Sequence, residues 1–459
     1  MGEKVHMNKQ TNLNVDTVIV GLGVTGLSCA RFLGKRGLPF AITDTRETPP
    51  GLKEIQQKFP EILVNVGDLD LDLIMQAKQC LVSPGVSVRH PVLIRAKQAG
   101  IEIIGDIELF ARHADAPVIA ITGANGKSTV TTLVYEMAKA AGLDVRAGGN
   151  LGTAALDLIE DSEPDLYALE LSSFQLETTH SLSSIAATVL NISDDHMDRY
   201  AGTSDYAEAK ERIFQGGGEM ILNADDPVVA SMTKVHRVIT HFTVNKPAEN
   251  EFGVLQKNDE AWLAFENTFL MPVSEMKIRG LHNTANALAA LALGKAVGIE
   301  ENIMLEVLRT WTGLPHRCQW VAEQNGIDWY NDSKGTNEGA TVAAIKGFAD
   351  RPIILIAGGD AKGAKFEDLA TAVKGRVKQT ILFGKDAPLL EKVLNRVTVV
   401  KRVDDLDQAV LTAHQLAEKG DLVLMSPACA SLDMFANYQV RGQVFVDAVS
   451  ELLNRGLRL

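Results

Sequence analysis

The stretch GANGKST at 123–129 holds the groups that a phosphate-binding loop needs. Its two glycines let backbone N–H groups approach phosphate oxygens, Lys127 can reach a terminal phosphate, and the hydroxyl of Ser128 can ligate Mg²⁺. The general pattern of such loops, G-x-x-x-x-G-K-[ST], has a glycine where this chain has Ile121. A chance GKS in a surface loop is the alternative. The apolar, β-branched run before the loop and the helical pattern after it favour nucleotide binding.

Acidic residues follow two later strand-like runs. The run LYALE ends at Glu170, where a P-loop fold offers a carboxylate to Mg²⁺. The run TVLN leads into DDH, which contains Asp195 and His196. A solvated acidic turn is the alternative there, but the nearby Glu170 favours a metal role for His196. Lys210 lies in the helical stretch YAEAKERIF, where composition alone favours a solvated surface lysine.

Two asparagines lie three residues apart in the helical stretch GLHNTANALAALAL. Asn283 and Asn286 therefore share one helical face. Side-chain amides at this spacing can bind the edge of a base, or they can merely cap the helix.

A second glycine pattern lies near the start of the chain. GLGVTG at 21–26 matches G-x-G-x-x-G directly after the run TVIV, and Asp44 follows about 20 residues later. This pattern alone suggests NAD, although the same geometry binds any diphosphate that carries a ribose. SPG at 83–85 predicts a second loop at the same sheet edge, with an ordinary strand-to-helix turn as the alternative.

The last third of the chain has four segments that join small residues to a charged one. They are LPHR at 314–317, NDSKGTN at 331–337, GGDAKGAKF at 358–366 and SPACASLDMF at 426–435. Together they predict a domain that closes over the nucleotide and supplies cations where negative charge develops.

Short β-branched strands running into glycine open three successive blocks, at 17–20, 118–122 and 352–357. Strands that alternate with helical stretches predict an α/β fold with parallel sheets. We expect three domains: an N-terminal Rossmann-like parallel sheet, a central P-loop ATPase-like α/β domain and a C-terminal Rossmann-like α/β domain. Turn formers near Gly105 and Gly313 predict the ranges 15–105, 106–313 and 314–459, after a loose tail at 1–14.

Composition excludes several classes of protein. A formal net charge of -13 over 459 residues argues against a general affinity for nucleic acid. The four cysteines have neither paired nor zinc-ligand spacing, which favours a reduced, cytoplasmic protein. No uncharged apolar run approaches 18 residues, so we expect no membrane insertion. We also expect a monomer.

Taken together, these segments resemble the Mur ligase family from about Val15 to the C-terminus. TGANGKST is similar to the family's own loop, T-G-x-N-G-K-[ST], which accounts for the missing glycine. LELSSFQLE, DDHMDRY, LHNTANALAA, LPHR, NDSKGTN and SPACASLDMF resemble family segments in the expected order. Within the family, GLGVTGLS, DTR at 44–46 and SPG are more similar to the D-glutamate-adding member than to its siblings. They imply binding of a uridine diphosphate in the first block instead of NAD.

The resemblance implies a role for each matched residue. The ATP-binding residues would be Gly123, Ala124, Asn125, Gly126, Lys127, Ser128, Thr129, Asn283, Asn286, Arg317 and Asp332. The UDP-linked substrate would contact Val24, Thr25, Gly26, Asp44, Thr45, Arg46, Ser83, Gly85, Asn150, Ser172 and His196. D-Glutamate would contact Asp195, Thr336, Lys362, Ser431, Leu432 and Tyr438, the last standing where the family has phenylalanine.

The implied cofactors are two Mg²⁺ ions, with Ser128, Glu170, His196 and a carbamylated Lys210 as ligands. A neutral lysine amine that captures CO₂ becomes an anion able to serve a dication. The implied catalytic residues are Lys127, Lys210, His196, Arg317 and Lys334.

The resemblance implies ATP-dependent amide-bond formation in the synthesis of a peptidoglycan precursor. The carboxylate of UDP-N-acetylmuramoyl-L-alanine would become an acyl phosphate, which the amine of D-glutamate then attacks. Four alternatives stay open: a sibling ligase for another amino acid, a folate polyglutamate synthase, a dinucleotide-dependent oxidoreductase, and a P-loop switch or binding protein without ligase chemistry.

Overall fold

A computed structural model of the protein describes residues 15–150, 152–193, 195, 199–348 and 351–456. The predicted tail at 1–14 lies outside these residues. The chain divides into two compact units. The first contains described residues up to 120, together with 145–184 and 208–217, and the second contains 121–144, 185–207 and the chain from 218 onward. The middle of the sequence therefore contributes to both units.

The first block is a parallel sheet with helices between its strands. Its strands are β1 (Thr17–Val20), β2 (Phe40–Asp44), β3 (Val64–Val66), β4 (Gln79–Val82) and β5 (Glu102–Ile104). Its helices are α1 (Val24–Lys35), α2 (Leu52–Lys58), α3 (Leu71–Ile74), α4 (Pro91–Gln98) and α5 (Asp106–Ala111). The strand order is β3-β2-β1-β4-β5, and every pair is parallel. The order reverses beside β1, so the carboxyl ends of β1 and β4 border the crevice where such sheets bind ligands.

The middle block begins with β6 (Val118–Thr122), a fully buried strand that crosses from the first unit into the second. In the first unit it contributes β7 (Val145–Gly149), a 3₁₀ helix (Ala155–Leu158), β8 (Leu166–Glu170), α7 (Ser173–Glu177) and a 3₁₀ helix (Arg212–Phe214). Helix α8 (Thr203–Glu211) spans the division between the units.

In the second unit, the middle block contributes α6, six strands, three further α-helices and a 3₁₀ helix. These are α6 (Lys127–Ala140), β9 (Ala186–Val189), β10 (Glu219–Asn223), α9 (Pro227–Ala230), β11 (Ile239–Phe242), β12 (Glu251–Lys257), β13 (Glu260–Phe265), β14 (Thr268–Pro272), a 3₁₀ helix (Val273–Glu275), α10 (Leu281–Ala296) and α11 (Glu301–Thr310). Strands β9 to β12 pair parallel in chain order, and β12 to β14 continue as an antiparallel meander.

The third block, also in the second unit, is a six-stranded sheet of order β15-β16-β20-β17-β18-β19. Its strands are β15 (Gln319–Gln324), β16 (Ile327–Asn331), β17 (Ile353–Gly358), β18 (Val377–Phe383), β19 (Val399–Arg402) and β20 (Leu422–Met425). Its helices are α12 (Glu338–Gly347), α13 (Glu367–Val373), α14 (Ala387–Leu394), α15 (Leu406–Leu416) and α16 (Tyr438–Gly456). Only the edge pair β15–β16 is antiparallel, and apolar clusters cover both faces of the sheet.

The three predicted α/β blocks are confirmed, and so are the strands expected before each glycine loop, with the third shifted by one residue to Ile353–Gly358. All four cysteines are buried and free. In the described part of the chain, no helix has the length and apolarity needed to span a bilayer.

Candidate active site

The phosphate loop requires a glycine at position 126, directly before α6, for two reasons. Gly126, the N-cap of α6, has a φ of 86°, which lies in the left-handed region. A Cβ at this position would also lie 2.4 Å from Oδ1 of Asn286. The backbone can therefore turn tightly into α6 and leave the first N–H groups of that helix at the loop, as anion binding requires.

The ammonium of Lys127 rests on the carbonyls of its own loop. Its Nζ donates to the oxygen of Gly123 at 2.8 Å and to that of Ala124 at 2.9 Å. The lysine is thus held over the loop, within reach of any phosphate that the loop binds.

The third block contributes a cation to the same loop. Nη2 of Arg317 donates to the hydroxyl of Ser128 at 2.7 Å, and Ser128 is buried. Both residues belong to the second unit. The arginine that the resemblance implied for the nucleotide phosphates therefore touches the helical turn that the phosphate loop opens.

Seven of the eleven residues implied for ATP binding line one cavity in the second unit: Asn125, Gly126, Thr129, Asn283, Asn286, Arg317 and Asp332. Lys334, implied as a catalytic residue, lines the same cavity. Both helical asparagines are buried. Asn283 donates to the carbonyl of Arg279 at 2.9 Å, and Asn286 donates to Oδ1 of Asn283 at 3.2 Å. Neither side chain caps α10, whose N-cap is Gly280 without a side-chain hydrogen bond, so the capping alternative is wrong and both asparagines border the cavity.

Asp332 is a buried acid in the lining of this cavity. Its Oδ1 accepts from the backbone N–H of Cys318 at 3.1 Å, and its Oδ2 accepts from the hydroxyl of Ser426 at 2.7 Å. Burial raises the pKa of Asp332 to about 6, although these hydrogen bonds and the charge of Arg317 act in the opposite direction.

The aromatic ring of Tyr438 faces a cation. Nζ of Lys334 lies 4.6 Å from the centre of the ring, and the hydroxyl of Ser333 donates to the carbonyl of Tyr438 at 2.8 Å. A cation–π contact uses the face of the ring and does not require the phenol hydroxyl. Phenylalanine, which the resemblance leads us to expect at this position, could make the same contact.

The remaining residues implied for D-glutamate differ in exposure. Ser431 is buried, Thr336 and Asp195 are partly buried, and Lys362 and Leu432 are exposed. Thr336 donates its N–H to the carbonyl of Lys334 at 2.7 Å, which fixes the turn that carries it.

Sequence reasoning missed Arg441, a fully buried guanidinium on α16. Its Nε donates to the hydroxyl of Ser333 at 3.0 Å, its Nη2 to the carbonyl of Ser333 at 2.8 Å, and its Nη1 to the carbonyl of Cys429 at 3.1 Å. Burial lowers the pKa of Arg441 to about 10. One side chain thus joins the loops that follow β16 and β20. Nothing local in the sequence around 441 reveals this contact, because its partners are distant in the chain.

The first unit contains a second cavity, of about 570 Å³. Eight of the residues implied for the UDP-linked substrate line it: Val24, Thr25, Asp44, Thr45, Arg46, Ser83, Gly85 and Asn150. This volume lies within the range of roughly 300–1,000 Å³ that is usual for small-molecule sites.

Asp44 is bonded to its own glycine loop. Its Oδ2 accepts from the N–H of Leu22 at 2.6 Å and from Nη2 of Arg46 at 2.6 Å, and its Oδ1 accepts from Nε of Arg46 at 2.9 Å. Burial by itself would raise the pKa of Asp44, but these hydrogen bonds lower it below the ordinary value. Asp44 therefore orders the loop and the Arg46 side chain at the mouth of the cavity.

Gly26 and Ser83 both lie against the carbonyl of Gly21 in the same glycine loop. A Cβ on Gly26 would lie 2.0 Å from the carbonyl oxygen of Gly21, so the close approach of α1 to β1 excludes any side chain there. The hydroxyl of Ser83 donates to that carbonyl at 2.9 Å. Gly26 is thus a packing residue beneath the cavity and is not part of its lining.

The implied metal ligands fall partly outside the described residues. His196 lies outside them, and among the rest no group of three or more His, Cys, Asp or Glu side chains forms a metal cluster. Glu170 is buried, and its Oε1 accepts from Nδ2 of Asn150 at 2.6 Å. Lys210 is 1% exposed, so the alternative of a solvated surface lysine is wrong.

Two further amides support the cavities, and the motifs did not single them out. Asn191, after β9, accepts from the N–H of Asn125 at 2.8 Å and donates to its carbonyl at 3.0 Å, which clamps the phosphate loop. Gln175, in α7, lines the cavity of the first unit and caps that helix together with Ser172.

Three family models match successive parts of the chain. They are "Mur ligase MurD-like, N-terminal domain" at 15–105, "Mur ligase middle domain" at 121–294 and "Mur ligase, glutamate ligase domain" at 316–429.

Curated relatives match nearly the full length. The chain is 52% identical to UDP-N-acetylmuramoylalanine--D-glutamate ligase of Nitrosococcus oceani over 446 residues, which cover 97% of this chain and 98% of that protein. It is 50% identical to the protein of the same name from Pseudomonas aeruginosa over 438 residues, which cover 95% and 98%.

Solved structures share the fold at low identity. A MurF ligase from Thermotoga maritima in complex with ADP superposes with a TM-score of 0.62 at 14% identity, covering 97% of this chain and 100% of that one. The UDP-N-acetylmuramate-alanine ligase MurC of the same organism gives 0.57 at 16% identity, covering 95% and 99%. The domain matches and the half-identical relatives together show that this chain belongs to the Mur ligase family.

Proposed function

We propose that this protein is an ATP-dependent ligase that joins D-glutamate to UDP-N-acetylmuramoyl-L-alanine through an acyl phosphate, in the cytoplasm and as a monomer. The hydrogen bond from Arg317 to Ser128 carries the proposal, because it brings a cation of the third block to the phosphate loop. The identity of 50–52% to ligases of that name, over nearly the full length of the chain, supports the choice of substrates.

The reaction has to overcome a poor leaving group. If an amine attacked the carboxylate directly, an oxide ion would have to leave the acyl carbon. Transfer of the γ-phosphoryl group converts that oxygen into phosphate, which leaves readily. Lys127, Arg317 and Lys334 can stabilise the negative charge that spreads over the transferring group. The amine of D-glutamate then attacks the acyl carbon, and the tetrahedral intermediate collapses to an amide and phosphate.

On the resemblance, we propose two Mg²⁺ ions for this protein. The hydroxyl of Ser128, in the second unit, and the buried carboxylate of Glu170, in the first unit, are each hard oxygen donors of the kind that Mg²⁺ prefers, so each residue fits the ion. Bound Mg²⁺ would neutralise phosphate charge. The burial of Lys210 is compatible with its proposed carbamylation.

The two cavities divide the proposed substrates between them. The cavity of the first unit, with its glycine loop, Ser83 and Arg46, suits a diphosphate that carries a nucleoside. The cavity of the second unit, with its phosphate loop and buried asparagines, suits ATP. The D-glutamate site is proposed at Asp195, Thr336, Lys362, Ser431, Leu432 and Tyr438, on the resemblance.

The deciding experiment is phosphate release from ATP and Mg²⁺ in the presence of UDP-N-acetylmuramoyl-L-alanine, with and without D-glutamate. We expect sustained release only when both substrates are present. A panel of L-alanine, L-lysine, meso-diaminopimelate and L-glutamate separates the sibling ligases, and a folate substrate tests the polyglutamate synthase. Release that is independent of the UDP-linked substrate, or reduction of a substrate by NADH, would contradict the proposal.

The carbamate on Lys210 has its own test. We expect Lys210→Ala to lose turnover and to regain part of it with added acetate or propionate, which replace the missing carboxylate. Lys139→Ala, an exposed lysine in the last turn of α6, serves as the control. Full activity of Lys210→Ala without any added acid would overturn the assignment.

A further inference from the structure

Asp106 is a buried acid beside the cavity of the first unit, and none of the motifs includes it. It is the first residue of α5 and is 2% exposed. Its Oδ2 accepts from Nε2 of Gln175 at 3.0 Å. Its Oδ1 has no hydrogen-bond partner among the described residues. A buried carboxyl oxygen without a partner is unfavourable, so its presence requires an explanation.

Gln175 is the only side chain that hydrogen-bonds to the Asp106 carboxyl group among the described contacts, and its amide is fixed at both ends. Its Oε1 accepts from the N–H of Ser172 at 3.1 Å and from the hydroxyl of Ser172 at 3.2 Å, as the third residue of a capping box. Its nitrogen end donates to Asp106. Gln175 also lines the cavity together with Asp44 and Asn150.

The chemistry of a capping box alone does not select glutamine at this position. Glutamate at the same place accepts from the N-cap N–H equally well. Only an amide can also donate to the carboxyl group of Asp106 on its other side. The Ser172 donors at Oε1 and the Asp106 carboxyl group at Nε2 therefore together determine which end of the Gln175 side chain is nitrogen. The second hydrogen of that nitrogen is not used by Asp106.

A neighbouring acid shows what a purely structural carboxylate looks like in the same helix. Glu108 is equally buried, and it accepts from the N–H groups of His180 and Ser181 at 2.7 and 2.8 Å and from Nε of Arg112 at 2.9 Å. Its partners hold a turn after α7, and it does not line the cavity. Asp106, by contrast, has an oxygen that makes no well-formed hydrogen bond among the described residues. Burial raises its pKa to about 6, while the Gln175 bond and the backbone N–H groups of Ile107 and Asp106 act in the opposite direction.

We propose that Asp106 is a positioning residue of this cavity, which fixes the Gln175 amide so that an N–H donor, and not an acceptor oxygen, faces the bound nucleotide sugar. The identity of the ligand rests on the proposed function. An N–H donor suits the phosphate or sugar oxygens of such a ligand, whereas an acceptor at the same place would repel them.

The first test measures binding of UDP-N-acetylmuramoyl-L-alanine by calorimetry in the absence of ATP. In Asp106→Leu the acceptor for Gln175 is lost and only the Ser172 bonds still hold the amide, so its nitrogen end is less well fixed and we expect affinity to fall by about tenfold or more. Asp106→Asn can still present an oxygen to Gln175 and should bind nearly as the unchanged protein does. Glu108→Gln is the control, and we expect it to lower the melting temperature while leaving this affinity unchanged.

The second test exchanges the two side-chain types. In the double variant Asp106→Asn with Gln175→Glu, the amide nitrogen introduced at position 106 donates to the carboxylate introduced at position 175, so the hydrogen bond and the total charge are kept. The carboxylate, however, now borders the cavity. We expect the melting temperature to recover relative to Gln175→Glu alone, and the affinity for the UDP-linked ligand to remain about tenfold lower or worse.

A merely structural pair would recover stability and affinity together in the exchange variant. Recovery of affinity in that variant, or unchanged affinity in Asp106→Leu, overturns the proposal, and the exchange variant decides if Asp106→Leu does not fold. Titration of the unchanged protein with UDP and with the UDP-linked substrate separates this inference from the proposed function. Binding without D-glutamate-dependent phosphate release defeats only the proposed function, whereas failure to bind either ligand defeats the inference as well.

Discussion

The guanidinium of Arg317 and the hydroxyl of Ser128 are joined by a 2.7 Å hydrogen bond, although 189 residues separate them in the chain. Ser128 lies in the first turn of α6, and Arg317 lies just before β15. A residue of the third block therefore contributes directly to the phosphate loop of the middle block. The position of the third block is thereby linked to the nucleotide site.

Replacement of this arginine tests that link. Lysine lacks the planar fork of guanidinium and carries its charge at a single point, so Arg317→Lys cannot reproduce both the Ser128 bond and a phosphate contact. We expect kcat/KM for ATP to fall by about a hundredfold, as for other removed charge stabilisers. Arg309→Lys, which alters an exposed ion pair with Glu275, is the control in steady-state assays. Equal kcat/KM values for the two variants would contradict the role.

Lys127 should be required for chemistry more than for folding. Its ammonium donates to the backbone carbonyls of Gly123 and Ala124, and it would move to the γ-phosphate when ATP binds. We expect Lys127→Ala to lose about a hundredfold or more in kcat. The melting temperature should change little, and Lys139→Ala in the same helix should retain full activity. Normal turnover by Lys127→Ala would refute the assignment.

Local sequence patterns were sufficient for the parts of the site that are built from contiguous residues. The phosphate loop lies where its glycines and the buried run before it predicted, because a short apolar strand followed by Gly, Lys and Ser determines its own geometry. The same holds for the glycine loop after β1, where Gly26 packs against Gly21.

Contacts between distant residues were not predictable in this way. The clamp of Asn191 on Asn125, the bond of Asp106 to Gln175 and the burial of Lys210 depend on where separate elements meet. A single sequence carries no record of such pairs. Lys210 illustrates the failure, since its helix has a weakly amphipathic sequence that does not identify the buried face.

The buried acid Asp332 predicts a pH dependence of stability. Burial raises its pKa to about 6 in the folded protein, whereas the ordinary pKa of an aspartate is about 4. Between these two pH values the folded state therefore holds a proton that the unfolded state has already released. Its contribution to stability is therefore present at low pH and is lost as the pH rises through this window. We expect the melting temperature of Asp332→Asn, relative to the unchanged protein, to increase between about pH 4 and pH 7. A constant difference, or one of opposite sign, would contradict this.

Arg441 should affect D-glutamate more than ATP, because it holds the loops that lead toward Thr336 and Ser431 from within the third block. Arg441→Lys retains the charge but loses several of its hydrogen bonds, and we expect KM for D-glutamate to rise by about tenfold or more while KM for ATP stays unchanged. Arg351→Lys is the matched control, since Arg351 bonds to the carbonyls of 420 and 421 before β20 begins. It should lower the melting temperature without changing either KM. A loss of folded enzyme alone would reduce kcat for Arg441→Lys and leave both KM values as they were, and that result would reduce Arg441 to a structural role.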